Sequence, residues 1–211
     1  MLVAVLAQCR KPRWWIGRLV VSIMNRSHSR LTDWGLKDVR VDKHFSILDV
    51  GCGGGRTIQK LAAIATDGKI CGIDYSDASV AAARRTNAGA VPSGRVEILQ
   101  GSVSQLPFPA ATFDLVTAIE THYYWPNLVA DLREVRRVLK PGGQVMIVAE
   151  AYRRTGVANA LERAVVRLVG GTCLSVDEHR NALTDAGFVG VTVDEEPRKG
   201  WICARGESPA S

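Results

Sequence analysis

The chain has 211 residues, 46% apolar and 23% charged, which suits one folded domain with a substantial core and excludes a disordered polymer. A formal net charge of +6 tilts the chain toward anionic partners, but the basic residues are spread along it, so charge alone does not mark a nucleic-acid binder. Five cysteines at irregular spacing, Cys9, Cys52, Cys71, Cys173 and Cys203, contain no CxxC pair. That pattern excludes a zinc framework and a disulfide scaffold, and reduced thiols point to a cytoplasmic protein without a metal.

The run Met1 to Ala7 is too short to span a membrane, and its basic residues, Arg10, Lys11 and Arg13, follow it rather than lead it. Neither secretion nor a membrane span is expected. Trp15, Ile16, Leu19, Val20, Ile23 and Met24 fall on one helical stripe. The stripe suits a helix packed on the domain or over its mouth; the alternative is a helix lying on a membrane surface. Residues 1–43 therefore form a helical extension, and residues 44–211 form the main domain.

From Ser46 onward, apolar runs alternate with helical patterns, the signature of an α/β sheet. Strands are expected at Ser46–Val50, Lys69–Asp74, Arg95–Leu99, Phe113–Ile119 and Gln144–Ala149. Helices are expected over about Arg56–Ala65 and from a Ser76 cap to about Asn87. Pro126 suits a helix's first turn, and Leu128, Leu132, Val135 and Leu139 mark its buried face. Arg133, Arg136, Arg137 and Lys140 would form its solvated face. Lys140-Pro-Gly-Gly143 stops it. Ser175 and Glu178 spell a capping box for a late helix ending near Gly187. Strands at Val189–Val193 and Gly200–Ala204 follow, with Glu195–Lys199 as the hairpin connection. This order indicates a doubly wound sheet, in which ligands bind beyond the carboxyl ends of the strands.

The turn after the first strand reads D-x-G-x-G-x-G, with Asp49, Gly51, Gly53 and Gly55. Glycines let the backbone approach a ligand closely, and the following helix points free N–H groups at it. Asp74 ends the second strand, where an acid accepts hydrogen bonds from the ribose hydroxyls of a nucleoside. A dinucleotide fingerprint from Gly51 would need glycine at position 56; the chain has Arg56. The P-loop signature is absent.

These segments resemble the class I S-adenosylmethionine (AdoMet)-dependent methyltransferases, in particular the small-molecule branch of ubiquinone/menaquinone and sterol enzymes. The resemblance rests on Ile47-Leu-Asp-Val-Gly-Cys-Gly-Gly-Gly55, Gly72-Ile-Asp-Tyr-Ser76, Leu106 to Val116, the Ile119-Glu120-Thr121 junction and Glu134 to Gly143. It covers roughly residues 44 to 205. It implies a Rossmann-like seven-stranded sheet, order 3-2-1-4-5-7-6 with strand 7 antiparallel, under an N-terminal helical lid. It implies AdoMet as cofactor and S-adenosylhomocysteine as product. Asp49, Gly51, Cys52 and Gly53 would hold the methionine end, Asp74 the ribose, and Tyr75 would flank the adenine. Relatives often carry Gly-Asp after the third strand; here Gly101-Ser102 stands, so Ser102 and the Val103 N–H would meet the adenine. Ile119 and Glu120 would lie beneath the methionine part.

Glu120, His122, Tyr124 and His28 are candidate bases, unranked, and Tyr123 and Trp125 would line an acceptor pocket with them. His122 reads equally well as a hydrogen-bonded loop histidine. His28 and Trp34 are expected to face the pocket from the lid. No [DN]PP[YF] follows the fourth strand and no second glutamate stands beside Glu120, which disfavours adenine-N6 and protein-arginine chemistry. A small organic acceptor is left, with a non-catalytic AdoMet sensor or partner subunit, a nicotinamide oxidoreductase and an RNA or DNA methyltransferase as alternatives.

Overall fold

A computed structural model describes residues 29–154, 160–168 and 170–210. The stripe from Trp15 to Met24, the Arg10–Arg13 cluster, Cys9 and His28 lie outside the described residues. Seven strands form one sheet in the order β3-β2-β1-β4-β5-β7-β6. They are β1 (Ile47–Val50), β2 (Ile70–Asp74), β3 (Val96–Gln100), β4 (Phe113–Ile119), β5 (Leu139–Ala149), β6 (Val189–Glu196) and β7 (Trp201–Glu207). The pairs from β3 through β5 are parallel, while β7 runs antiparallel to both β5 and β6. Order and direction are those implied by the resemblance.

The helices are α1 (residues 29–36), α2 (Arg56–Ile64), α3 (Asp77–Thr86), α4 (Leu128–Val138), α5 (Ala160–Leu168) and α6 (Val176–Asp185). The sheet is buried on both faces because successive strand residues point opposite ways. Leu48 and Val50 of β1 join a core with Leu132, Val135 and Val138 of α4 and Leu183 of α6. Ile47 joins a second core with Leu31 of α1, Ile58 and Leu61 of α2, and Val80 and Ala83 of α3. Each fully buried Leu or Ile stabilises the fold by about 1.5–3 kcal/mol. Helix α1 lies hard on β5: a β-carbon on Gly35 would fall 2.5 Å from Val148 Cγ2.

Several boundaries differ from the sequence expectation. Pro126 is not in the first turn of α4. Asn127 is the N-cap, its side chain accepting from the Ala130 N–H, and Pro126 stands before it. Lys140-Pro-Gly-Gly143 does not separate helix from strand. Helix α4 ends at Val138, and the four residues belong to β5, whose pairing with β4 shifts register between Phe113 and Leu115. Strand β6 continues through Glu196, so the turn is confined to Pro197–Gly200. Helix α5 has no counterpart in the sequence reading.

The basic face of α4 is also not simply solvated. Arg133 and Arg136 donate to the Asp185 and Ala186 carbonyls at 3.0 and 2.9 Å, closing the C-terminus of α6. Arg137 donates to the Leu106 and Phe108 carbonyls and to Glu134, and Lys140 to Asp114. At the other end of α6 the capping box is present: Ser175 Oγ accepts from the Glu178 N–H and Glu178 accepts from the Ser175 N–H. Replacing Ser175 with Ala removes the side-chain half of that box, at about 1 kcal/mol. Thermal unfolding should then show Tm lowered by about 2–4 °C.

Candidate functional site

The sheet order reverses between β1 and β4, and the chain leaves these strands toward opposite faces. A cavity of about 420 Å³ opens there, beyond the carboxyl ends of β1, β2 and β4. Its floor is the glycine turn. The Gly51 and Cys52 N–H groups donate to the Ile73 carbonyl at 2.7 and 3.1 Å, tying the turn to β2. Gly51 has φ 70, and a β-carbon there would fall 2.0 Å from Thr121 Oγ1. Only glycine fits between the exits of β1 and β4.

Three carboxyl groups line this cavity: Asp49, Asp74 and Glu120. Asp74 is 7% exposed; its Oδ2 accepts from the Gly53 N–H and its Oδ1 from the Ser76 N–H, both at 2.9 Å. Burial raises its pKa. The Ser79 side chain hydrogen-bonds the same carboxyl, so three partners hold Asp74 in the cavity lining. Asp49 accepts from Thr117 Oγ1 at 2.7 Å, across the β1–β4 pairing. Burial pushes its pKa up to about 7, with the Asp74 charge adding to the shift. Glu120 has φ 58, a left-handed backbone rare outside glycine. Its Oε1 accepts from Tyr123 OH at 2.9 Å and from the Glu150 N–H. Burial first, and the Glu150 charge second, push Glu120 up to about 8.

Gly51, Cys52, Gly53, Tyr75, Ser102, Val103, Ile119 and Tyr124 also line the cavity. Tyr75 is 40% exposed, giving a flat apolar face at the rim. Ser102 is exposed and its Oγ accepts from the Ser104 N–H at 3.2 Å, while Val103 is buried. Tyr124, Trp125 and Pro126 build an aromatic and apolar wall, with Ser29 and Thr32 of α1 joining the lining. Arg56 is the one cationic side chain among the described lining residues.

Three expected residues stand elsewhere. His122 belongs to the 3-10 turn His122–Tyr124 and points into the protein, not into the cavity. Its Nε2 lies 3.1 Å from Nε2 of His179, whose Nδ1 bonds the Ser175 carbonyl at 2.7 Å. Burial pushes both imidazoles down, so both are neutral. Trp34 is likewise not a lining residue; its ring packs on Trp201 at 5.9 Å. Tyr123 sits behind the wall rather than in it. Sequence reasoning missed Thr117, because its partnership with Asp49 depends on strand register. Among the described residues, no group of three His, Cys, Asp or Glu side chains is placed to hold a metal ion.

Residues 47–143 match the family model described as a methyltransferase domain. An uncharacterized methyltransferase of Bacillus subtilis, YdaC, is 32% identical over 129 residues, 61% of this chain and 68% of that protein. The 27-O-demethylrifamycin SV methyltransferase of Amycolatopsis mediterranei is 30% identical over 78% of this chain and 61% of its own length. This chain thus spans about two thirds of the Bacillus protein and less than two thirds of the Amycolatopsis one. A SAM-dependent methyltransferase from Aquifex aeolicus superposes with a TM-score of 0.72 at 22% identity, covering 89% of this chain and 96% of that one, a likeness of fold.

The buried acids set a pH dependence. Asp49 and Glu120 carry folded pKa values of about 7 and about 8, above their unfolded values of roughly 4. The folded state therefore binds more protons than the unfolded state, and stability is lost as pH rises through 7 and 8. Ligand-free protein should show a Tm that falls between about pH 5 and pH 8 and levels off above. Asp49→Asn combined with Glu120→Gln should flatten that slope; an unchanged slope contradicts the assignment.

Proposed function

We propose the reaction from one premise, that the chain belongs to the class I AdoMet-dependent methyltransferases: it moves the methyl group of AdoMet to a small organic acceptor by in-line displacement. When bound, AdoMet supplies a methyl group already activated by its sulfonium, with S-adenosylhomocysteine as the leaving product. The residues present fit this cofactor. Asp74 is a carboxyl acceptor in the lining, suited to a ribose diol, and two backbone donors hold it in place. Asp49 and Glu120 set acidic groups in a low-dielectric pocket, which suits a cationic methionine end. Gly51, Cys52 and Gly53 let the backbone close on that end, with Ile119 beside it. Tyr75 offers a stacking face, and Ser102 and the Val103 N–H stand where an adenine edge would lie.

The chain has no electrophile to generate. Its residues hold the two reactants in line and keep water out, which contributes several kcal/mol, roughly 7–11 at best. Tyr124, Trp125 and Pro126 give the acceptor an aromatic and apolar wall. Of the candidate bases, Glu120 and Tyr124 stand in the lining, while His122 faces away. Ser29 and Thr32 of α1 stand in the lining, which supports a lid role for the described residues 29–43. The observation that carries the small-acceptor reading is the wall itself, in which Tyr124 and Trp125 stand beside the acids of a cavity of about 420 Å³. The cations on α4 are spent on the protein's own carbonyls and acids, which counts against a polyanionic substrate. Free buried thiols at Cys52, Cys71 and Cys203 support a cytoplasmic setting, and no helix among the described residues is long and apolar enough to cross a membrane.

Incubation with methyl-labelled AdoMet and the low-mass fraction of a cell extract tests this function. Label should appear in a small organic product, with S-adenosylhomocysteine released in equal amount. Label that stays on AdoMet points to a sensor or partner subunit, and label in nucleic acid or protein contradicts the acceptor class. Calorimetry tests the ribose contact. Asp74→Asn should weaken S-adenosylhomocysteine binding about 100-fold, because one acceptor oxygen becomes a donor and the bond that remains loses its charge; unchanged affinity removes the assignment.

A further inference from the structure

Glu120 is held in an unusual way. It follows β4 in a left-handed backbone that a side chain disfavours by about 1–2 kcal/mol, so its surroundings must impose it. Its N–H donates to the Val148 carbonyl at 2.9 Å. Its Oε1 then receives two donors, Tyr123 OH and the Glu150 N–H. Tyr123 is itself pinned: its hydroxyl oxygen accepts from the Ala151 N–H at 3.0 Å, and its carbonyl accepts from the Thr172 N–H at 2.9 Å. With Ala151 on the oxygen's lone pair, the hydroxyl proton has one direction to take, toward Glu120.

We infer that Tyr123 is a positioning residue that acts through Glu120: its anchored hydroxyl holds Oε1 and thereby assigns Oε2 to the cavity as the atom that meets the cation. An oxygen facing two donors cannot also carry the acid proton, so the exchangeable proton of neutral Glu120 sits on Oε2. A cationic ligand group arriving at Oε2 displaces that proton to solvent, and the carboxylate left behind keeps both donors on Oε1. The inference rests on the reading that Glu120 faces the ammonium-bearing end of the cofactor.

The ionisable groups that face Glu120 are Glu150 at the end of β5, Tyr123 on the 3-10 turn and Cys173 before α6. Cys173 in turn faces Arg163 and Arg167 of α5. The Glu150 N–H and the Tyr123 hydroxyl both stabilise the ionised acid by hydrogen bonding, and Tyr123 is the side chain that does so, whereas the Glu150 carboxyl opposes it by charge. Losing the hydroxyl therefore moves ionisation of Glu120 to higher pH.

S-adenosylhomocysteine, which keeps the ammonium, is the probe. Its affinity is measured by calorimetry from pH 6 to 9 for the wild type, Tyr123→Phe, Glu120→Gln and the double variant. In the wild type, affinity should rise with pH and binding should release protons. Tyr123→Phe should weaken binding about tenfold at pH 7.5, the loss of one charge-assisted hydrogen bond, and should move the rise to higher pH. In the Glu120→Gln background the same substitution should change affinity less than twofold. Equal losses in both backgrounds, or an unmoved pH profile, overturn the inference while leaving the cofactor reading intact. Wild-type protein that binds no S-adenosylhomocysteine at any pH overturns the cofactor reading itself. Carbon-13 NMR of the Glu120 carboxyl, assigned by difference with Glu120→Gln, follows the same titration in the undisturbed fold. A midpoint there like that of free glutamate also overturns the inference.

Discussion

Gly51 and Thr121 meet so closely that no side chain can stand at Gly51. That contact joins the exits of the two central strands, where one chain segment turns to one face of the sheet and the next turns to the other. The glycine turn, the Asp49–Thr117 pair and the left-handed Glu120 all lie within a few residues of it. If the two exits stood further apart, the acids would face solvent and lose their raised affinity for protons.

The site gathers three carboxyl groups in one small cavity, which is costly without compensation because burial disfavours charge. The fold answers differently for each. Asp74 has two backbone N–H donors and stays poised to accept. Asp49 and Glu120 each have a hydroxyl donor, from Thr117 and Tyr123, and remain partly or wholly protonated near neutral pH. A cationic ligand would reverse that balance, since its charge is worth more in the low dielectric of the pocket than in water. Binding and deprotonation are thereby coupled.

The later part of the chain serves the site from behind. The Thr172 N–H holds the Tyr123 carbonyl, His179 of α6 bonds His122, and α6 itself is closed by arginines from α4. The aromatic wall of Tyr124 and Trp125 is thus set by residues some fifty positions downstream, through contacts that never reach the cavity.

Local pattern determined a good deal. The alternation of apolar runs with amphipathic helices spelled out the strands of a doubly wound sheet, because burial on both faces demands unbroken apolar strands. The turn from Asp49 to Gly55 and the acid Asp74 marked a nucleoside pocket, because close backbone approach and diol recognition each need particular residue types at a strand's end. Capping chemistry was equally legible at Ser175 and Glu178, where both partners lie within one turn. What stayed hidden depends on distant partners or on direction. Sequence order cannot say that Thr117 stands opposite Asp49, which is a matter of register. Nor can it say that the 3-10 turn sends His122 inward against His179 and Tyr124 outward to the cavity. Trp34, expected at the mouth, found a larger apolar partner in Trp201, a residue from the far end of the chain. Residue types named the chemistry; only the tertiary structure chose which side chains face it.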